Sequence, residues 1–181
     1  MNIAIFASGK GSNAENIIKY FKHTEHRIII FTNNETAGII EIAWSLNVNC
    51  IIFNKYEKLS KIISSNSIDF IVLAGYTKLI PVDVISEFEK KIINIHPSLL
   101  PKYGGKGMWG MNVHNSVIKN KEKESGITIH YVSENYDEGQ IIQQHKCEVL
   151  LCDTAESLAK KISLLVREYF PKCIEMLVSV F

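Results

Sequence analysis

A chain of 181 residues, 46% hydrophobic and 22% charged, has the make-up of a globular protein whose core needs no covalent staples. Its formal net charge of +1 excludes a field that steers polyanions, so nucleic acid is not an expected partner and any phosphate site is local. Cys50, Cys147, Cys152 and Cys173 form no C-x-x-C pair and no metal-ligand spacing, which points to reduced, cytoplasmic thiols and no bound metal.

The chain opens on MNIAIFASGKGSN, which lacks a basic n-region and whose apolar run is too short for a leader or a membrane span. Residues 2–8, 27–32, 50–53, 69–74 and 91–95 are short, β-branched runs that are apolar on both faces. Runs of that kind suit a buried parallel sheet. Between them, residues 13–22, 37–46, 57–65 and 82–89 have helical periodicity, so the pattern is β-α-β-α and the sheet is doubly wound. Later, GITIHYVSE (126–134) and QIIQQHKCEV (140–149) read as antiparallel strands that extend the sheet at one side. Residues 153–170 predict a long helix. Asp153 and Glu156 fit a capping box there, and Leu158, Ile162, Leu165, Val166 and Tyr169 form an apolar stripe. The expected fold is α/β: one doubly wound, mostly parallel sheet with antiparallel strands in its C-terminal half, in a single domain spanning 1–181.

Three stretches carry chemistry. SGKGSN (8–13) follows the first strand, where ligands of open α/β sheets gather. Gly9 and Gly11 permit close backbone approach, and Ser12 and Asn13 can cap a helix whose N–H groups favour an anion. A phosphate cradle and a plain tight turn both fit. The stretch lacks the third glycine of a dinucleotide fingerprint and the Lys-Ser/Thr end of a P-loop.

INIHPSLLPKYGG (93–105) sets Asn94 and His96 two apart, so in a strand they face the same way. An amide donor beside an imidazole can stabilise an oxyanion, and a nearby carboxylate would keep the ring protonated and oriented. The plainer alternative is an edge residue beside a surface histidine. In NYDEGQ (135–140), Asp137 reads by itself as a turn residue and Glu138 as a solvated one. Of the other histidines, His23 and His26 belong at the surface, and His130 and His145 can face either way. His114 opens a helix after a glycine-rich loop, so it could line the cleft, but the helix surface is its expected place.

Taken in order, GKGSN (9–13), TNNETAGIIEIA (32–43), IVLAGYTKLI (71–80), INIHPSLLPKYGG (93–105) and YDEGQII (136–142) resemble the folate-dependent phosphoribosylglycinamide formyltransferase family. The resemblance covers nearly the whole chain and implies a Rossmann-like formyltransferase fold. It implies transfer of a formyl group from N10-formyltetrahydrofolate to the amine of glycinamide ribonucleotide, in purine biosynthesis, without a metal. Carried over residue by residue, it gives Asn94, His96 and Asp137 catalytic roles, and Gly11, Ser12 and Asn13 the substrate phosphate. Thr77, Lys78, Leu79, Ile80, Glu138 and Gly139 fall where the family holds the folate. Lys78 replaces a common arginine, keeping the charge for a folate carboxylate but losing the bidentate fork. A cis Leu100–Pro101 bond is also implied.

One departure stands out. The family usually presents a glutamate to the substrate ribose five residues before the proline that matches Pro171. Here that position is Val166, with Ser163 nearer the helix start. Methionyl-tRNA formyltransferase and formyltetrahydrofolate deformylase share the trio but carry an additional C-terminal and N-terminal domain, respectively. A chain that begins at strand one and ends after one helix disfavours both. A phosphate-metabolite binding module without turnover is the remaining alternative: Val166 points towards it and the intact trio against it.

Overall fold

The computed structural model describes residues 1–54 and 58–180. Seven strands form one sheet: β1 (Asn2–Phe6), β2 (Arg27–Thr32), β3 (Asn49–Ile52), β4 (Phe70–Leu73), β5 (Ile92–His96), β6 (Glu124–Tyr131) and β7 (Ile141–Glu148). Their spatial order is β3-β2-β1-β4-β5-β6-β7. Among the described residues six helices connect and cover them: α1 (Ser12–Phe21), α2 (Ile39–Ser45), α3 (Leu59–Ser65), α4 (Val82–Glu87), α5 (Met111–Lys119) and α6 (Ala155–Val178). The helix expected over 57–65 begins on a residue outside the described ones. Among the described residues no helix is long and apolar enough to cross a membrane.

The strands through β5 are parallel, and β5, β6 and β7 pair antiparallel, as the two kinds of apolar run require. All four residues of β4 are buried because helices cover both faces of the sheet. Along β1 the pleat divides the core: Ile3 and Ile5 pack with Ile17, Leu158 and Phe170, while Ala4 and Phe6 pack with Leu59, Val84 and Phe88. β1 neighbours both β2 and β4, so the chain winds outward in one direction and returns to wind in the other. The crevice at the carboxyl ends of β1 and β4 is where such a sheet binds ligands. Ser8 N–H donates to Gly75 O across it, at 3.2 Å.

Two details of α6 differ from expectation. Its N-cap is Thr154, whose side chain accepts from Ser157 N–H while Ser157 Oγ accepts from Thr154 N–H. Asp153 instead accepts from Leu150 N–H and Ser157 Oγ, one position too early to cap. The helix also runs through Pro171 to Val178 rather than stopping at 170. Proline lacks the N–H that the Arg167 carbonyl needs. Asn16 on α1 supplies a donor, Nδ2 to Arg167 O at 3.0 Å, so the helix continues.

Candidate active site

Three loops at one edge of the sheet carry the residues singled out above. The first leaves β1. Gly11 is left-handed, with φ of 82°, and is the N-cap of α1; among the described residues no side chain caps this helix. Ser12 and Asn13 therefore do not act as the cap that was expected, but lie in the first turn itself. A Cβ on Gly11 would sit 2.8 Å from Ile39 Cβ and 2.9 Å from its Cα, so only glycine lets the loop close against α2. Asn34 Nδ2 donates to Ser8 O, and Ser8 Oγ donates to Asn33 Oδ1. The turn is held from behind, leaving first-turn N–H groups available to an anion.

The second loop leaves β4. Thr77, Lys78 and Leu79 are exposed there, whereas Ile80 is 4% exposed and packs in the core. Of the four positions in this loop expected to hold folate, Ile80 can therefore offer only its backbone.

The third site forms where β5 ends. Asn94 and His96 point to the same side, and the loop after β6 brings Asp137 to them. Asp137 Oδ2 lies 3.3 Å from His96 Nδ1 and accepts from Gly105 N–H at 2.9 Å. Its Oδ1 accepts from Asn94 Nδ2 at 3.4 Å. Asp137 holds a left-handed backbone with φ of 59°, an unfavourable conformation that the surrounding donors stabilise. Two residues on, a Cβ at Gly139 would come within 1.7 Å of Tyr131 O, so glycine lets the loop lie flat on the strand. Glu138 stays exposed, with Oε2 accepting from Asn135 Nδ2.

His96 is 3% exposed, and its Nε2 lies 2.7 Å from Tyr103 O. Both ring nitrogens thus meet acceptors, a carbonyl and a carboxylate, and two N–H groups are needed to satisfy them. Burial pushes the Asp137 carboxyl upward, but hydrogen bonds from His130 and His96, the His96 charge and Gly105 N–H hold it well below the usual carboxylate range. The Leu100–Pro101 bond is cis, as the resemblance implied.

His130 is part of this cluster and was not singled out by sequence reasoning. It pairs directly with Asn94 in the antiparallel register, with Nε2 3.1 Å from Asn94 Nδ2 and 3.7 Å from Asp137 Oδ1. The signal was present in the alternation of GITIHY: Ile127 and Ile129 face the helices, so Thr128 and His130 face the other way. His114 also departs from expectation. It is 6% exposed rather than on the helix surface, and its Nδ1 has no hydrogen-bond partner among the described residues. Burial and the neighbouring His96 push its imidazole below the ordinary value. His145 turns away from the site and stacks on Tyr169, with ring centroids 3.6 Å apart.

Over residues 1–174 the chain matches the formyl transferase family. It belongs to that family. This formyl transferase is 34% identical over 188 residues to the phosphoribosylglycinamide formyltransferase of Bacillus subtilis, covering 97% of this chain and 94% of the relative. It is 38% identical over 173 residues to the chloroplastic phosphoribosylglycinamide formyltransferase of Arabidopsis thaliana, covering 88% of this chain. The chain spans 59% of that relative's length and 55% of the corresponding Vigna unguiculata protein. The crystal structure of phosphoribosylglycinamide formyltransferase from Anaplasma phagocytophilum superposes with a TM-score of 0.89 at 32% identity, covering 99% of this chain and 87% of that one. Val166, where the resemblance places a ribose contact, is 6% exposed and packs with Ile162 and Phe170 in this formyl transferase.

Proposed function

We propose that the chain, acting as one domain, transfers the formyl group of N10-formyltetrahydrofolate to the amine of glycinamide ribonucleotide. The observation that carries this reading is the convergence of Asn94, His96 and Asp137 beyond the end of β5, in a chain of this family. As the amine attacks the formyl carbon, negative charge grows on the formyl oxygen and positive charge on the nitrogen. Asn94 Nδ2 donates one hydrogen to that oxygen, and the His96 imidazolium, fixed between Asp137 and Tyr103, supplies positive charge beside it. Asp137 takes the surplus proton from the attacking amine through water. It also holds His96 in place, and the proton passes on through water to N10 of the folate as the bond between N10 and the formyl carbon breaks and tetrahydrofolate leaves. The remaining work is positioning, which needs neither a covalent intermediate nor a metal.

In this scheme Gly11, Ser12 and Asn13 receive the substrate phosphate on backbone N–H groups. Thr77 to Ile80 with Glu138 and Gly139 border the folate, and exposed Lys78 faces its carboxylate tail. The ribose is held by groups other than residue 166. The four cysteines are unpaired, which fits a reducing compartment such as the cytoplasm.

The test is an assay of formyl-folate consumption with and without glycinamide ribonucleotide. Turnover that requires the nucleotide supports the proposal. Turnover with water alone would assign a deformylase, and none at all a binding module.

A further inference from the structure

The orientation of His96 depends on a backbone carbonyl, and that carbonyl depends on a residue far along the chain. His96 Nε2 makes its shortest contact with Tyr103 O, at 2.7 Å. Tyr103 holds φ of 58°, a left-handed conformation that a tyrosine keeps only where its surroundings demand it. The Asn120 side chain also reaches its hydroxyl, and two further anchors bear on its backbone and ring. Ser98 Oγ donates to Lys102 O at 2.6 Å, fixing the backbone just before Tyr103. Beyond it, Tyr103 Oη donates to Glu122 Oε1 at 2.8 Å, and Lys102 Nζ reaches the same carboxylate at 3.0 and 3.2 Å. Glu122 lies in the turn between α5 and β6, with its side chain 23% exposed. Its own backbone is fixed, since its N–H donates to Val117 O on α5.

We infer that Glu122 is a positioning residue for the formyl transfer proposed above: it anchors Tyr103 so that the Tyr103 carbonyl holds His96 Nε2 and turns Nδ1 to Asp137. The inference rests on that functional reading. Of these two partners of Glu122, Tyr103 is the one that matters. Lys102 is 66% exposed, and an ion pair so placed contributes little. Without the carboxylate, the Tyr103 hydroxyl loses its acceptor and the left-handed residue relaxes. Its carbonyl leaves His96, and the ring is then held at one nitrogen instead of two. Glu122 touches neither Asn94 nor the loops assigned to either substrate, so its loss should act on turnover more than on binding.

The test uses four variants of the full chain and two readouts. Glu122→Ala and Tyr103→Phe should lower kcat by about tenfold or more, since small misplacements near reacting atoms are costly. KM for both substrates should stay within about twofold, because uniform binding is untouched. Glu122→Gln keeps an oxygen for the tyrosine hydroxyl and should recover most of kcat; Lys102→Met should behave as wild type. The second readout is the ring 15N–1H correlation spectrum of His96, whose Nε2 signal should shift in Glu122→Ala and return in Glu122→Gln. Wild-type kcat in Glu122→Ala would overturn the inference. So would a loss in Glu122→Gln as large as in the alanine variant, matched by an equal fall in melting temperature. If the wild-type protein transferred no formyl group at all, the functional reading would fall. The His96 signal would then decide the anchor alone: no shift in Glu122→Ala overturns it, and a shift upholds it.

Discussion

The loop at 8–13 and the end of β5 lie along the same edge of the sheet but are built from different material. The loop presents backbone: a left-handed glycine, a helix start with no side-chain cap, and asparagines that brace it from behind. The end of β5 presents side chains: Asn94, His96, His130 and Asp137, each within hydrogen-bonding or ion-pair reach of another. A backbone site is harmed by adding atoms, and a side-chain site by changing the character of one atom. The two regions should therefore fail in different ways.

The largest effect is expected at β5. Asp137 accepts from Gly105 N–H, Asn94 and His96, so Asp137→Asn places an NH2 group among donors. Steady-state kinetics should show kcat lower by about 10²–10³, with KM changed only a few-fold. Turnover within a few-fold of wild type would mean that the aspartate only shapes a turn.

Next comes the helix behind the backbone loop. Val166→Glu puts a carboxylate among Ile162 and Phe170 without a partner. Thermal melting should show a loss of about 3 kcal/mol, or about 6–12 °C. Use of glycinamide ribonucleotide should not improve. A stable variant with better kinetics would put residue 166 in the crevice and erase the contrast between the two regions on this side.

Gly11→Ala tests the loop itself. The added Cβ meets Ile39 at 2.8 Å, and the residue must still hold φ near 82°. The proposed phosphate cradle should open, raising KM for the nucleotide roughly tenfold, while kcat at saturation stays near wild type. A fall in kcat with unchanged KM would mean that the loop serves the chemistry instead.

The smallest effect concerns pH. His114 is held below its ordinary value of 6.5 in the folded chain, by burial and then by His96. The unfolded chain therefore takes up the proton first. The contribution to stability is complete above 6.5 and is lost as pH falls towards the folded value. Chemical denaturation at pH 7.5 and 5.5 should show this loss in wild type and a smaller one in His114→Gln. Equal losses would remove His114 from the titration.

The strands of the first half were legible because parallel strands buried on both faces leave continuous apolar runs, as FIVL in β4 does. Asn94 and His96 were legible as a pair because strand periodicity is local. Asp137 was not, since nothing near it distinguishes a turn residue from one that reaches His96 across more than 40 positions. Only the resemblance pointed to it. His130 and the burial of His114 depend on which strand pairs with which and on how α5 sits. The alternation of GITIHY records the face of His130 but not its partner, and no local pattern records the burial of His114. The length of α6 escaped for a related reason: Pro171 is a stop signal in isolation, and the donor that answers it, Asn16, lies 151 residues from the Arg167 carbonyl it satisfies.

The direct pairing of Asn94 with His130 also ties activity to the order in which the protein folds. A slip of one residue between β5 and β6 would turn His130 to the opposite face and bring an isoleucine in its place. The contact spans 36 positions, and loop closure of that length is slow compared with forming a helix turn. In refolding from denaturant, helical signal should return before enzyme activity, because the proposed catalytic groups assemble only once this antiparallel pair is in register. Activity then serves as a probe of one strand pairing, and a chain with most of its secondary structure can still be inert.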